Sequence, residues 1–310
     1  MSDTQSPKTC CGFVSVIGAP NAGKSTLMNA LVGNKVTIVS PKVQTTRTIV
    51  RGIMIHEHSG TQSQIIFVDT PGIFKAEKQL EKAMIRAAWE GEAESDLAMI
   101  VVDVSRKSLH AGTDHILETL AAADKKKNVI LVLNKIDAID PDILLALSKD
   151  LNARFTFAAT FMISALKEKG LDDLLNYLTL NLPQGPFHYP EDQMSDMPIR
   201  LLAAEITREK LFYRFHQELP YNLTVETENW EEFENGSAKI DQIVYVTKDG
   251  HRKIILGKGG SAIKSVGIEA RKELSEMLDR EIHLKIHVKV DPRWINDPER
   301  YRVWGLSHKA

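Results

Sequence analysis

Apolar and polar residues alternate along the first half of the chain as expected for a parallel sheet covered by helices. Short apolar runs predict five buried strands: Gly12–Gly18, Gln64–Asp69, Leu97–Asp103, Asn128–Asn134 and Thr156–Ser164. Apolar residues spaced near i, i+3 and i+4 predict four helices between them: Lys24–Leu31, Lys78–Glu92, Thr113–Ala123 and Leu171–Leu180. We predict that Thr48–His56 forms a hairpin with the second run, as an antiparallel edge strand. The pattern therefore predicts a doubly wound α/β domain over residues 12–182.

A different pattern begins after residue 182. Residues 183–198 contain four prolines and several acidic residues without periodicity, which predicts a linker. The elements predicted beyond it are a helix, two strands, two helices and a strand: Ile199–Phe215, Asn222–Trp230, Lys239–Thr247, Arg252–Leu256, Ser261–Leu278 and Ile282–Val290. This order lacks the strand–helix–strand rhythm of the first half. We therefore predict a separate α+β domain over residues 199–310, and a flexible N-terminus over residues 1–11.

Composition narrows the class of protein. The chain has 310 residues, which suits two domains, and its 39 Lys and Arg against 41 Asp and Glu create no overall positive field. Any nucleic-acid site is therefore expected to be a local patch. No apolar run reaches the ~18 residues of a transmembrane helix, and no signal peptide is apparent. The only cysteines, Cys10 and Cys11, are adjacent, which favours a reduced cytosolic protein.

The segment from Gly18 to Ser25 fits the phosphate-loop pattern G-x-x-x-x-G-K-[ST]. It follows a predicted strand and opens a predicted helix, which is the context that this motif requires. Backbone N–H groups of such a loop surround the phosphates, the lysine reaches the β- and γ-oxygens, and the serine hydroxyl binds Mg²⁺. The nucleotide contacts predicted here are Gly18, Ala19, Pro20, Asn21, Ala22, Gly23, Lys24, Ser25 and Thr26.

A second motif, Asp-Thr-Pro-Gly, ends the next apolar strand 45 residues after Lys24. An aspartate at this position can hold Mg²⁺, usually through water, and a glycine amide can meet the γ-phosphate. We therefore add four residues to the predicted nucleotide site: Asp69, Thr70, Pro71 and Gly72.

A third motif, Asn134-Lys135-Ile136-Asp137, indicates which base is bound. A carboxylate at Asp137 accepts hydrogen bonds from guanine N1–H and the 2-amino group, whereas adenine offers neither donor on that edge. A site built in this way rejects the wrong base by about 10⁴-fold. Asn134 is expected to tie the loops together and the stem of Lys135 to cover the base. Ser164, Ala165 and Leu166 are expected to close the pocket, with the Ala165 N–H near guanine O6.

These motifs resemble those of the Ras-like translation-factor GTPases and, more closely, those of the Era family. The resemblance rests on GAPNAGKST at 18–26, QTTR at 44–47, DTPG at 69–72, NKID at 134–137 and SAL at 164–166. It implies GTP and GDP as ligands, with Mg²⁺, and catalytic roles for Lys24, Asp69 and Gly72. In such proteins a threonine of a mobile segment binds Mg²⁺ when the γ-phosphate is present. Thr45 and Thr46 both qualify and we favour Thr46, so the predicted metal ligands are Ser25, Thr46 and Asp69.

One departure from the Ras pattern concerns the attacking water. Ile73 occupies the position at which Ras-type enzymes place a glutamine that orients this water. Because an isoleucine side chain can neither donate nor accept, we expect slow intrinsic hydrolysis. In related Era-like GTPases the asparagine equivalent to Asn21 helps to bind K⁺ beside the β- and γ-phosphates. The resemblance therefore implies a catalytic role for Asn21 through K⁺.

The second domain contains Gly257-Lys258-Gly259-Gly260 between two predicted helices. This setting resembles a type II KH domain, whose GxxG loop clamps about four nucleotides of single-stranded RNA. Ile254, Ile255 and Ile263 are expected to line an apolar groove for bases. Nearby cations are expected to neutralise phosphates despite the low net charge: Lys248, Arg252, Lys253, Lys258 and Lys264.

Taken together, the two halves resemble the Era family across nearly the whole chain. The resemblance implies a bacterial assembly factor that hydrolyses GTP and binds the 3′ end of 16S rRNA and the small ribosomal subunit. It also implies a cytoplasmic monomer that associates weakly with the inner membrane. The alternatives are a GTPase of another RNA-linked or cell-cycle role, a metabolic P-loop kinase, and an RNA-binding module with a vestigial nucleotide site.

Overall fold

The computed structural model describes residues 8–42, 45–72, 79–106, 111–122 and 128–306. These residues divide into two compact units. The first unit contains the described residues up to Thr37, those of Thr46–Asp196, and those from Trp304 onward. The second contains the described residues of Ile38–Thr45 together with Met197–Val303.

A six-stranded sheet forms the centre of the first unit. Its strands are β1 (Lys8–Ile17), β2 (Val50–His58), β3 (Thr61–Asp69), β4 (Leu97–Asp103), β5 (Asn128–Asn134) and β6 (Ala159–Ile163). They lie in the order β2-β3-β1-β4-β5-β6, and every pair is parallel except β2 with β3. The predicted parallel sheet with one antiparallel edge strand is therefore confirmed. All four nucleotide motifs follow the carboxyl ends of β1, β3, β5 and β6, so the sheet gathers them along one edge.

Helices accompany this sheet, and all but one of them were predicted. They are α1 (Lys24–Val32), α2 (Gln79–Ala93), α3 (Ala111–Ala122), α4 (Pro141–Arg154) and α5 (Leu171–Asn181). Helix α4 was missed because exposed Ile143 and Leu145 obscure its apolar face. That face consists of the buried Leu144 and Leu151 and the half-buried Leu147 between them. Its start is set by Asp140, whose side chain accepts the N–H of Asp142.

The boundaries of the first unit differ from those predicted at both ends. Strand β1 begins at Lys8, within the predicted flexible N-terminus, because residues from Lys8 onward pair with β3 from Thr61 onward. The predicted linker belongs to the first unit as far as Asp196. Its backbone accepts the N–H of Cys11 at 3.0 Å, and Asp196 pairs with Arg51 at 2.7 Å. Such isolated contacts, without a regular ladder, explain why residues 183–196 carry no periodic pattern.

The second unit contains the predicted α-β-β-α-α-β order followed by one further helix. Its elements are α6 (Ile199–Arg214), β7 (Leu223–Glu232), β8 (Ala238–Val246), α7 (Asp249–Leu256), α8 (Ser261–Leu278), β9 (Ile282–Val290) and α9 (Pro298–Val303). The sheet has the order β7-β8-β9, with β7 and β8 antiparallel and β8 and β9 parallel. Apolar side chains of the helices and the sheet form two buried clusters, in the larger of which Phe212, Val244 and Ile255 are fully buried. No helix in the described ranges is long and apolar enough to cross a membrane.

Segment Ile38–Thr45 belongs to the second unit, and four hydrogen bonds hold it along α6. The backbone N–H of Val39 donates to Glu209 at 2.8 Å. The Lys42 ammonium donates to two backbone carbonyls at the C-terminal end of α6, where the helix dipole favours a cation. The guanidinium of Arg208 donates to the carbonyl of Thr45.

Candidate functional site

The phosphate loop between β1 and α1 requires glycine at two positions for packing reasons. A Cβ at Gly18 would lie 2.5 Å from the carbonyl oxygen of Val101. Gly23 has a φ of +93°, and a Cβ there would lie 2.3 Å from Nδ2 of Asn134. Both glycines therefore let the loop lie directly against the ends of β4 and β5. Thr26 lies half-buried in the first turn of α1.

Lys24 is buried beneath this loop. Its Nζ donates to the carbonyl oxygens of Gly18 at 3.0 Å and Ala19 at 3.3 Å. Burial lowers the pKa of Lys24 to about 8, and the neighbouring Asp69 carboxylate opposes part of that shift. A phosphate beside this ammonium would favour its charged form and raise the pKa again. The loop therefore holds a cation whose charge depends on what binds there.

Ser25, Thr46 and Asp69 form a cluster of oxygen atoms next to Lys24. The two hydroxyl oxygens lie 2.9 Å apart, and Oδ2 of Asp69 accepts from Ser25 at 2.8 Å and from Thr46 at 3.4 Å. Thr37, which the sequence did not single out, donates to the same Oδ2 at 3.4 Å. Burial raises the pKa of Asp69, whereas Lys24 and the three hydroxyls lower it.

This cluster fits a magnesium ion on two grounds. The buried Oδ1 of Asp69 has no hydrogen-bond partner within the described residues, which is costly unless a cation or a water meets it. Two Mg²⁺ ligands at right angles, each about 2.1 Å from the ion, are about 3.0 Å apart. The hydroxyl oxygens of Ser25 and Thr46 already have nearly that separation. Hard oxygen ligands in this arrangement suit Mg²⁺, which usually takes few ligands from protein and others from phosphate and water.

The neighbouring Thr45 has other partners. Its hydroxyl donates to the carbonyl of Lys42 at 2.6 Å and lies 2.6 Å from the hydroxyl oxygen of Ser40. Of the two threonines left open by the sequence, Thr46 is the one that lies beside Ser25 and Asp69.

The Asp-Thr-Pro-Gly segment continues from β3 toward the phosphate loop. The buried Thr70 hydroxyl donates to the carbonyl of Val16 at 2.8 Å and so joins the ends of β3 and β1. A Cβ at Gly72 would lie 3.0 Å from Cα of Pro20, so this glycine lies against the phosphate loop. Pro71 between them is buried. Ile73, and Gln44 of the QTTR motif, lie outside the described residues.

Asn134 connects the phosphate loop with the loop after β6. Its Nδ2 donates to the carbonyl of Ala22 at 2.9 Å, while its Oδ1 accepts the backbone N–H groups of Lys135 at 2.8 Å and Ala165 at 3.0 Å. The sequence predicts that the Ala165 N–H lies near guanine O6. In this structure the N–H of Ala165 donates to Oδ1 of Asn134.

Asp137 lies exposed at the same edge of the sheet. The Ser164 hydroxyl donates to Oδ1 of Asp137 at 2.6 Å, and this bond is the main reason that the pKa of Asp137 is lowered. The carboxylate is therefore held ionised, and Oδ2 remains as a further acceptor. Leu166, two residues after Ser164, is 74% exposed.

Lys135 occupies a left-handed backbone conformation, with a φ of +69°. Its Nζ donates to the carbonyl of Asn21 at 2.9 Å and forms an ion pair with Asp103 at 2.7 Å. Asp103 was missed at the sequence level, although its position offered a signal. Like Asp69 and Asn134, it is a polar residue at the carboxyl end of an apolar strand of this sheet.

The GxxG loop joins α7 to α8 in the second unit. Gly257, Gly259 and Gly260 have φ values of +70°, +59° and +78°, which side-chain-bearing residues rarely adopt. Gly257 is also confined, since its Cβ would lie 2.7 Å from Cβ of Ala262, whereas Gly259 and Gly260 face open space. The predicted cations around the loop are all exposed: Lys248, Arg252, Lys253, Lys258 and Lys264. Two of them, Arg252 and Lys253, pair with Asp249 at 3.7 and 3.0 Å.

The three isoleucines predicted to line a base groove have different environments. Ile263 lines an open cavity of about 270 Å³ between α8 and β9, and Ile254 is 56% exposed. Ile255 is fully buried in the core, so its assignment to the groove was wrong. It lies on the inner face of α7, one turn after the buried His251.

Comparison with known proteins finds a matching family profile in each of the two units. The family profile described as 50S ribosome-binding GTPase matches residues 13–135, and the KH domain profile matches residues 218–295. GTPase Era of Sinorhizobium medicae (strain WSM419) is 54% identical over 299 residues, which cover 96% of this chain and 94% of that protein. GTPase Era of Brucella suis biovar 1 (strain 1330) is 50% identical over 305 residues, which cover 98% of this chain and 96% of that protein.

Two crystal structures resemble the whole chain. A variant of Aquifex aeolicus Era bound to GDP and AlF4⁻ has a TM-score of 0.89 and 35% identity, covering 96% of this chain and 99% of that chain. Era in complex with MgGDPNP and nucleotides 1506–1542 of 16S ribosomal RNA has a TM-score of 0.88, with the same identity and coverage.

Proposed function

The chain belongs to the Era family of GTPases, and we propose that it is a ribosome-assembly factor that couples GTP hydrolysis to binding of 16S rRNA. The observation that carries the proposal is the pairing of a guanine-nucleotide site with a GxxG domain in one chain. The related Era structure that holds MgGDPNP and nucleotides 1506–1542 of 16S rRNA supports this choice of RNA. The RNA ligand is accordingly the 3′ end of 16S rRNA within the small ribosomal subunit.

In this proposal the nucleotide lies along the edge where β1, β3, β5 and β6 end. Lys24 and the backbone of the phosphate loop bind the phosphates, and the Gly72 amide meets the γ-phosphate. Asp137, oriented by Ser164, accepts from guanine, while Asn134 holds the two neighbouring loops together.

Ser25, Thr46 and Asp69 would hold Mg²⁺, as the unpartnered Oδ1 of Asp69 supports. The ion, when bound, neutralises charge that develops on the β- and γ-oxygens. Asn21 contributes to a K⁺ site beside the same phosphates, which compensates for the absence of a water-orienting glutamine at Ile73. Lys135 supports Asn21 by donating to its carbonyl.

The exposed lysines and arginine around the GxxG loop bind RNA phosphates, and the loop glycines let the backbone of the strand approach closely. The protein acts as a monomer in the cytoplasm, with weak peripheral association with the inner membrane.

The proposal is tested by binding and turnover with matched ligands. The purified full chain is titrated with labelled RNA containing nucleotides 1506–1542 of 16S rRNA, and with a shuffled RNA of the same composition. We expect at least about tenfold tighter binding of the 16S segment, or about 1.4 kcal/mol. Phosphate release from GTP is measured in parallel, with excess ATP as competitor, and ATP is expected not to inhibit.

Each outcome points to one alternative. Equal affinity for the two RNAs would contradict the 16S assignment and favour another RNA, which crosslinking in cells followed by sequencing of the attached RNA would identify. Equal binding of ATP and GTP would contradict the guanine site and favour a metabolic kinase. Absence of turnover with RNA, Mg²⁺ and K⁺ present would favour a vestigial nucleotide site.

A further inference from the structure

The Asp103 carboxylate at the end of β4 makes a different kind of contact through each of its two oxygens. Oδ1 accepts the backbone N–H of Ser105 at 3.0 Å and the Ser105 hydroxyl at 2.5 Å. A bond from an aspartate to the backbone two residues on is a common way to form a turn. Oδ2 instead accepts from two cations, the Lys135 ammonium at 2.7 Å and the Arg106 guanidinium at 3.3 Å. Turn formation therefore explains Oδ1 and leaves Oδ2 for another role.

Burial distinguishes the contact with Lys135 from an ordinary surface ion pair. The side chain of Asp103 is 9% exposed and that of Lys135 is 36% exposed. Burial alone would raise the pKa of Asp103, but the bonds from Lys135 and Ser105 lower it below its ordinary value. The carboxylate is therefore ionised at neutral pH, and its bond with the ammonium is charge-assisted, which makes it stronger than a bond between neutral groups.

The Lys135 side chain is held along its length. Its backbone N–H donates to Oδ1 of Asn134, and its ammonium donates to the carbonyl of Asn21 as well as to Asp103. Its Cε is 3.9 Å from the position that a Cβ at Gly23 would take, so the stem runs beside the phosphate loop. The left-handed backbone of Lys135 is a conformation that persists only where the surrounding structure enforces it. Contacts within the protein thus lay out the stem that is proposed to cover the guanine base.

A side chain that the protein orders in advance loses little freedom when a ligand binds against it. A lysine carries one of the largest side-chain entropies of any residue, so ordering its stem during binding would weaken the complex. Of the two acceptors at the ammonium, the Asn21 carbonyl is neutral and Asp103 is charged. Asp103 therefore supplies the stronger of the two contacts that keep the stem in place.

We infer that Asp103 is a positioning residue for guanine-nucleotide binding, and that it acts through Lys135 by holding the lysine stem in place for the base. Because GTP and GDP have the same base, Asp103 contributes equally to the binding of both and little to hydrolysis. This inference rests on the proposed guanine site, and it gives the end of β4 a part in that site beside the motifs that follow β1, β3, β5 and β6.

The test is Asp103→Asn in the full chain, because asparagine retains one role of the carboxylate and removes the other. Its amide oxygen can still accept from Ser105, whereas the amide nitrogen that replaces Oδ2 is a donor and cannot accept from Lys135. The affinities for GDP and GTP should both fall about tenfold, or about 1.4 kcal/mol, as measured by displacement of a fluorescent guanine nucleotide. Phosphate release across a GTP titration should show a raised KM and a wild-type kcat, which is the result of losing an interaction made equally in the ground state and the transition state.

A double-mutant cycle shows whether Asp103 acts through Lys135. Lys135→Met removes the ammonium and retains an unbranched stem. In the Lys135→Met protein, Asp103→Asn should weaken GDP binding less than about twofold, since the contact that it removes is already lost. Arg106→Gln is the matched control, because it removes the other cation from the same oxygen. It should leave both nucleotide affinities at wild-type values.

Wild-type GDP and GTP affinities in an Asp103→Asn protein that circular dichroism shows to be folded would overturn the inference. A loss that persists undiminished in the Lys135→Met background would overturn it too, because Asp103 would then act by another route. So would an equal loss in Arg106→Gln, or a loss confined to GTP, which would place the effect at the γ-phosphate.

The guanine site itself is tested separately, by competition between GTP and ATP for the wild-type protein. Equal binding of these two nucleotides would contradict the proposed function. Preference for GTP in the wild type, together with unchanged affinities in Asp103→Asn, would overturn this inference alone.

Discussion

Ser25 and Thr46 hold their hydroxyl oxygens 2.9 Å apart beside Asp69, although 21 positions separate them in the chain. If both hydroxyls are Mg²⁺ ligands, Thr46→Ala removes one ligand and leaves the other. We expect GTP turnover to fall about tenfold, and half-maximal turnover to need more Mg²⁺ than in the wild type. Phosphate release measured across a Mg²⁺ titration checks both effects.

Thr45→Ala is the matched control, because the Thr45 hydroxyl contacts Ser40 and the carbonyl of Lys42. It should change the Mg²⁺ dependence much less than Thr46→Ala does, and Thr46→Ser, which keeps the hydroxyl, should restore it. An equal shift for both alanine variants would contradict the assignment of Thr46.

We predict that nucleotide binding depends on pH because of the Lys24 ammonium. Its pKa is lowered to about 8 by burial, and an adjacent phosphate raises it. Above about pH 8, binding must therefore take up a proton, and the affinity for GTP should fall by up to about tenfold per pH unit. Calorimetry at pH 8.5 in two buffers of different ionisation enthalpy measures this proton uptake directly.

The stability of the nucleotide-free protein should change with pH in the opposite direction. The pKa of Lys24 is lower in the folded state than its ordinary 10.5, so the unfolded state binds more protons between about pH 8 and 10.5. The contribution of Lys24 to the free energy of unfolding therefore rises with pH across that window. Lys24→Arg, whose guanidinium stays charged, should abolish the pH slope of GTP binding. A slope that persists in this variant would assign the titration to another group.

We predict that substitution of Asp137 changes which nucleotide base the protein prefers. Asp137→Asn replaces a carboxylate acceptor by an amide, so GTP should bind about 10²–10⁴-fold more weakly. Xanthosine triphosphate should gain affinity, since its 2-oxo group accepts from the new amide. Competition with a fluorescent guanine nucleotide measures both affinities.

Asp142→Asn is the control for this change, since Asp142 is an exposed aspartate in the first turn of α4. It should keep wild-type preference for GTP. Wild-type GTP affinity in Asp137→Asn would remove this residue from the base site.

We predict that GTP turnover depends on the monovalent cation through the side chain of Asn21. Its φ is +63°, so Asn21→Gly removes the side-chain amide without backbone strain, whereas alanine would add strain. The wild-type protein should turn over GTP several-fold faster in KCl than in NaCl at equal ionic strength, and Asn21→Gly should lose that difference. Identical wild-type rates in the two salts would rule out a role for K⁺.

We predict that a substitution at Gly259 weakens RNA binding without affecting the nucleotide site. Its φ is +59° and a new Cβ there meets no atom within 4 Å, so Asp and Asn, which tolerate this conformation, form a matched pair. Gly259→Asp places a negative charge where a phosphate approaches and should weaken RNA binding by about ten- to a hundredfold. Gly259→Asn, which has the same size without the charge, should weaken it less.

GTP affinity and RNA-free turnover are measured on the same preparations, with circular dichroism to verify folding, and both should remain at wild-type values. The wild-type RNA affinity should fall as salt is raised, since bound lysines and arginines displace counterions. A folded Gly259→Asp protein with wild-type RNA affinity would exclude the GxxG loop from RNA binding.

Local sequence patterns predicted most elements, and the exceptions have physical explanations. Strands β4 and β5 were predictable because both of their faces are buried, which demands a continuous apolar run. Helix α4 was not, since exposed Ile143 and Leu145 obscure the apolar face that Leu144, Leu147 and Leu151 form. Residues 183–196 were predicted as a linker because the isolated long-range hydrogen bonds that join them to the first unit leave no local pattern.

The chemistry of the candidate site followed from the sequence alone, because each motif is a short continuous segment in which residue type and spacing specify the interaction. A carboxylate at Asp137 suits the two donors of guanine, and an ammonium at Lys24 suits phosphate, because both preferences depend on residue type. Tertiary structure decided what depends on residues far apart in the chain. It placed Thr46 rather than Thr45 beside Ser25, and left Oδ1 of Asp69 buried without a partner. It also placed Ile263 beside a cavity between α8 and β9, which exists only because these two elements pack against each other.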